Sequence, residues 1–212
     1  MISLIPNRRR FLLVAPCLAL GACSNIIGPL PASQIYVLQL PQRQRKVGDG
    51  VNWSLAIAKP TAPDSLDSNR IALARAGIEL DYYANAIWAD DLPDLVQTQL
   101  LEGFEATGRI EKVGREESGL HADYKLLADV RNFEARYAAP DTPPTVTITI
   151  VAYMMQARTH EMVSTVNATA SRPCAANSVN AVVAAFNLAL ADAVDQVTGW
   201  ALGLAGPSNT AP

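Results

Sequence analysis

This 212-residue chain is poor in the side chains from which chemical sites are usually built. It has two histidines, His121 and His160, and three cysteines, Cys17, Cys23 and Cys174. No His or Cys pair stands at metal-ligand spacing, so no metal site is expected. No phosphate-cradling glycine loop, dinucleotide fingerprint or Gly-x-Ser-x-Gly elbow occurs, so no catalytic residue and no cofactor is expected, and the chain does not read as an enzyme. Two adjacent carboxylate pairs, Asp90 with Asp91 and Glu116 with Glu117, read as loop solvation and helix N-terminal charge rather than as acid–base pairs. Charge is scarce as well. Only 17% of residues are charged against 50% hydrophobic, which argues for a folded chain. The net charge of −3 gives no general attraction to nucleic acid or anionic headgroups. Long apolar runs are also lacking after the N-terminal region, since Asn187 and Asp192 interrupt the best of them short of a membrane span.

What the chain does have begins at its N-terminus. Arg8, Arg9 and Arg10 precede the uncharged stretch Phe11 to Leu20, and Gly21, Ala22 and Cys23 follow. A basic region, a short apolar region and small residues make up a secretory signal peptide. Leu20-Gly21-Ala22-Cys23 resembles the bacterial lipobox, which implies cleavage between Ala22 and Cys23 and lipidation of Cys23. Residues 1–22 are then the signal peptide and 23–33, with Gly28, Pro29 and Pro31, a lipidated tether. Ser24 behind the cysteine favours the outer over the inner membrane. Asn7-Arg8-Arg9-Arg10-Phe11-Leu12 also resembles a twin-arginine export motif, so the export route stays open. Cleavage removes three arginines and no acid, so 17 basic residues become 14 against 20 acidic ones, a net −6. Cys174 is then the one thiol left beyond Cys23. It follows Arg172-Pro173 and reads as a structural thiol in a loop before a helix.

The mature part, 34–205, reads as one α+β domain, a mostly antiparallel sheet packed by two main helices. Strands are expected at Ile35–Leu40, Val51–Ala58, Asn69–Ala74 with Ile78–Tyr82 as a hairpin, and Ile110–Val113. A meander follows, in which Leu126, Ala128 and Val130 point inward, Thr145–Val151 alternates almost strictly and Met162–Ala170 returns after a turn at Thr159-His160-Glu161. The first helix spans about 92–107: Pro93 suits its first turn, Gly108 its end, and Leu92, Val96, Leu100 and Phe104 share a stripe. The second spans about 178–204, capped by Asn177 or Ser178, with Val182, Phe186, Leu190, Val194, Val197 and Trp200 on its apolar stripe. Residues 206–212 read as a disordered tail. Tyr82, Tyr83 and Trp88 are the candidates for a partner or ligand surface, with packing beside the first helix as the competing reading.

These residues carry a family resemblance. Tyr36-Val37-Leu38, Leu55-Ala56-Ile57-Ala58-Lys59-Pro60 and above all the stretch from Leu80-Asp81-Tyr82-Tyr83 through Trp88-Ala89 to Pro93 resemble the ABC-type transport auxiliary lipoproteins, as does Leu126 to Ala135 with its Phe133-Glu134. The resemblance implies an auxiliary subunit of an ABC/MCE-type lipid transport system on the periplasmic face of the envelope. It also implies MCE-type protein and ABC transporter components as partners; membrane attachment is expected through the lipid on Cys23, and exposed apolar and aromatic surface adds self-association as an expectation. A lipid-binding carrier, or an envelope assembly or structural lipoprotein, is the alternative.

Overall fold

A computed structural model describes residues 32–41, 49–75 and 79–204. Cys23, the signal peptide, the tether up to Pro31 and the tail from residue 205 lie outside the described residues. From Ser33 onward the chain forms one unit, an eight-stranded mixed sheet with two long helices.

Its centre is β6, Tyr124–Tyr137. Tyr124, Leu126, Ala128 and Val130 are buried, as alternation requires; then the inward positions change to Phe133 and Ala135. The switch has a local cause. The ladder with β7, Thr145–Gln156, shifts between Val130 and Asn132, leaving Arg131 as an extra residue. One inserted residue moves every later side chain to the opposite face. β7 keeps its alternation, with Val146, Ile148, Ile150, Ala152 and Met154 on the fully buried face and Val151 buried on the other, and pairs antiparallel with β8, Met162–Pro173. His160 makes the connecting turn with φ of 61°.

The other edge of β6 is shared. β2, Leu55–Ile57, pairs with Tyr124–Leu126, and β3, Arg70–Arg75, with Ala135–Tyr137, both parallel. Between them Thr61 stays on the same track: its N–H donates to Ala128 O at 2.9 Å and its carbonyl accepts from Val130 N at 2.8 Å. β2 and β3 are thus two pieces of one interrupted line. Pro60 and Pro63 interrupt it, because neither can donate a ladder hydrogen bond. The sheet is therefore antiparallel in its long ladders and parallel where short strands attach, including β1 (Gln34–Tyr36) on β4 (Glu79–Trp88) and β5 (Val113–Arg115) on β2. The expected strands at Ile35–Leu40 and Val51–Ala58 shrink to three residues each. The expected Ile110–Val113 moves to β5, with Ile110 left in a single bridge to Val51.

Both helices fall where their stripes place them. α1 is Leu92–Thr107, with Pro93 in its first turn and Gly108 closing it in the left-handed conformation, φ of 61°. α2 is Val179–Gly203, and Ser178 Oγ accepts from Ala181 N. α2 is long and apolar enough to pass for a membrane span, with a mean hydropathy of 1.3, but it is the core helix, buried over 61% of that window. Ala185, Ala189 and Ala193 let it approach the sheet closely.

Candidate functional site

The expected aromatic cluster separates into three environments because it lies on a distorted strand. β4 pairs with β3 from Arg75↔Glu79 to Ala72↔Tyr82, then skips to Arg70↔Ile87. The residues skipped, Tyr83 to Ala86, form a bulge, and Asn85 in it has φ of 57°. Asn tolerates this left-handed conformation better than most residues.

Trp88 belongs to the core, not to a partner surface. It is 1% exposed and lies edge-on to Phe186 at 5.3 Å and to Phe133 at 6.2 Å, while those two rings stack at 4.8 Å. This corrects the assignment of Trp88 to the candidate surface, and the reason is position. Beyond the bulge β4 turns inward, and residue 88 sits at the junction of sheet and α2. Tyr82 and Tyr83 are half-buried and keep their hydroxyl groups engaged. Tyr82 carries the Arg70 guanidinium 3.5 Å from its ring centroid, a cation–π contact, and donates to Ser65 O at 2.9 Å.

Tyr83 begins a hydrogen-bonded chain. Tyr137 donates to Asn177 Oδ1 at 2.9 Å, so its own oxygen accepts from the Tyr83 hydroxyl at 2.8 Å. Burial, and then this bond to Tyr137, push the Tyr83 phenol far above its ordinary range. Tyr83 is therefore a hydrogen-bond donor and not a proton acceptor. Beside the chain lies a surface hollow of about 340 Å³ lined by Arg75, Tyr137, Ala138, Pro140, Asp141 and Asn177. Arg75 is held at its rim by Asp81, at 3.0 Å. This hollow brings together three sequence-distant regions: the β3–β4 hairpin, the end of β6 and the start of α2. Arg75, Tyr137 and Asn177 were missed from sequence, and no spacing could have revealed them, because 40 residues separate even Tyr137 from Asn177. A second hollow of about 310 Å³ lies between Lys59, Thr61, Leu127, Asp129, Tyr153 and Met162.

Several other titratable groups do structural work. Ser54 Oγ donates to Asp123 Oδ2 at 2.7 Å, Ser54 N donates to the same oxygen at 2.8 Å, and Asp123 N donates to Ser54 Oγ at 2.9 Å. This reciprocal clip fixes the start of the β2–β6 pair, and the bonds from Ser54 hold the Asp123 carboxyl below its ordinary value. Glu116 pairs with Lys125, and Glu117 accepts from Gln97 Nε2 at 3.1 Å. These two carboxylates therefore have defined partners rather than only solvating a loop. Cys174 is buried, 7% exposed, and burial pushes its thiol upward, as a structural thiol requires. Among the described residues no group of three or more His, Cys, Asp or Glu side chains converges to hold a metal ion.

Comparison with known proteins agrees with this architecture. An uncharacterized protein of Bradyrhizobium diazoefficiens is 32% identical over 174 residues, covering 82% of this chain. This chain spans 46% of that protein, about half its length. The crystal structure of XCC0632 from Xanthomonas campestris, of the DUF330 family, is 32% identical with a TM-score of 0.74, covering 80% of this chain and 95% of that one. Another uncharacterized protein of known structure shares the fold, with a TM-score of 0.64 at 15% identity over 80% of this chain and 99% of that one. Residues 36–198 match the family described as the ABC-type transport auxiliary lipoprotein component, an auxiliary rather than an enzyme family. The chain belongs to the family of ABC-type transport auxiliary lipoprotein components.

Proposed function

We propose that this chain is a lipid-anchored periplasmic subunit that assists an ABC/MCE-type lipid transport system. The observation that carries the reading is the family match from Tyr36 to Thr198, set directly behind a lipobox-like Leu20-Gly21-Ala22-Cys23. Signal cleavage after Ala22 exposes Cys23, and acyl chains on Cys23 hold the domain at the membrane. Two or more chains anchor a protein far more durably than one. The short tether 23–33 then keeps the domain close to that surface, and Ser24 behind the cysteine favours the outer over the inner membrane. With a net charge of −6 after cleavage, the domain itself adds no electrostatic pull toward an anionic surface.

The domain works by docking. It offers hollows and donor groups on its surface, and Tyr82 and Tyr83, where the β4 bulge begins, supply with the neighbouring Arg75 hollow a defined, partly apolar contact area for a transporter component. Affinity capture of the full-length protein from mildly solubilised membranes tests the reading. Recovery of MCE-type or ABC transporter subunits supports it. Capture without any such subunit, but with lipid bound stoichiometrically in native mass spectrometry, replaces it with a lipid carrier.

A further inference from the structure

Among the described residues, strand β8 is the last strand on its side of the sheet, with only β7 as a partner. Such an edge presents peptide groups that can pair with another chain. Here one side chain of α2 occupies it. Gln196 Oε1 accepts from Thr169 N at 3.2 Å, and Gln196 Nε2 donates to Thr169 O at 3.0 Å. An antiparallel partner residue would make the same two bonds to Thr169. Gln196 is also the middle member of a row four residues apart. Asp192 meets Arg172, with Arg172 Nε donating at 2.7 Å, and Trp200 Nε1 donates to Ser164 Oγ at 3.3 Å. As α2 advances, its contacts retreat along β8 from Arg172 through Thr169 to Ser164. The helix therefore lies across the strand in the antiparallel sense.

We propose that Gln196 is a sheet-edge plug, substituting for a strand so that β8 does not accept the β8 of a second copy of this chain. A second copy is the occupant that the edge fits. Thr169 sits inside the strand, so two antiparallel copies pair about a two-fold axis near it. Residues 162–173 carry a single charge, Arg172, close to the strand end, which leaves no repulsion at that axis. Any self-association of the native protein would accordingly use a surface other than β8.

Backbone amide exchange and oligomer mass of the mature, detergent-solubilised protein test this in three variants. Gln196→Ala speeds exchange at Thr169 by about tenfold, as loss of one hydrogen bond allows, and produces a dimer that native mass spectrometry does not find in the wild type. Gln196→Glu keeps an acceptor for Thr169 N–H and so keeps its protection. Adding Thr169→Pro to Gln196→Ala abolishes the dimer, because the outward N–H is gone while the bonds to β7 come from the neighbouring residues. Unchanged exchange in a folded Gln196→Ala protein overturns the plug, and faster exchange with no new dimer overturns the second-copy acceptor.

Discussion

Gly103 of α1 faces Val194 of α2 at the point where the two helices touch: a Cβ on Gly103 would overlap Val194 Cγ1 and reach within 3.5 Å of Thr198 Cγ2. Val194 is β-branched and confined to one main rotamer within a helix, so it cannot swing aside. The contact joins α1, which covers β2 and β5, to α2, which covers β7 and β8. Gly103→Ala gains about 1 kcal/mol of helix propensity and loses about 1–3 kcal/mol to overpacking. Overpacking wins, so the urea midpoint falls. In the Gly103→Ala/Val194→Ala double variant the clash disappears, and the combined loss is smaller than the sum of the single ones.

Trp88 decides between a surface and a core role by a simple contrast. Its indole fills the space between Phe133 and Phe186, so Trp88→Ala costs about 3–5 kcal/mol of stability. Thermal unfolding by circular dichroism reads the drop directly. A melting temperature equal to the wild type would return Trp88 to the surface.

The Tyr83–Tyr137–Asn177 chain is broken unequally by its two phenols. Tyr83→Phe removes a donor but leaves Tyr137 bonded to Asn177, so the loss is about 1 kcal/mol. Tyr137→Phe leaves the half-buried Tyr83 hydroxyl without its acceptor and costs more. Ultraviolet titration of wild-type and Tyr83→Phe proteins checks the electrostatics: both lose the same number of protons between pH 9 and about 11, the ordinary tyrosine range, because Tyr83 ionises only above it.

The Ser54–Asp123 clip makes stability depend on pH in one direction. The folded Asp123 carboxyl ionises below its unfolded value, so its contribution is present above pH about 4. It is lost as pH falls through the folded pKa, where the native carboxylate takes up its proton. Asp123→Asn flattens that acid limb in chemical denaturation followed from pH 7 to pH 3. A limb identical to the wild type would assign it to other carboxylates.

Cys174 supplies a probe of opening that needs no substitution. Burial keeps the thiol both covered and protonated, so the native protein reacts slowly with a disulfide reagent. In denaturant the reaction becomes fast, and its onset coincides with unfolding. Rapid native labelling would place Cys174 in a mobile loop.

The long elements were legible in the sequence because each repeats its own period many times. Thr145 to Val151 alternates too strictly for a helix, and Val182, Phe186, Leu190, Val194 and Val197 recur at helical spacing. The three-residue strands β1, β2 and β5 were legible only as apolar patches, since their extent depends on which neighbour lies alongside. The Arg131 bulge leaves one trace, the change from even to odd apolar positions between Val130 and Phe133. The site was less legible. Tyr82 and Tyr83 drew notice as aromatics, and so did Trp88, because sequence does not say on which side of a bulge a residue falls. Arg75 and Asn177 are ordinary polar residues until the fold brings them to one hollow, and Gln196 is an ordinary helix residue until β8 lies beside it.

Everything proposed about location rests on Cys23, and the intact mass of the mature protein purified from membranes tests it in one step. The expected product is a chain beginning at Cys23 whose mass exceeds that of residues 23–212 by its acyl groups, with the excess confined to the N-terminal peptide. A chain that retains residues 1–22, or one cleaved elsewhere and carrying no lipid, would contradict it.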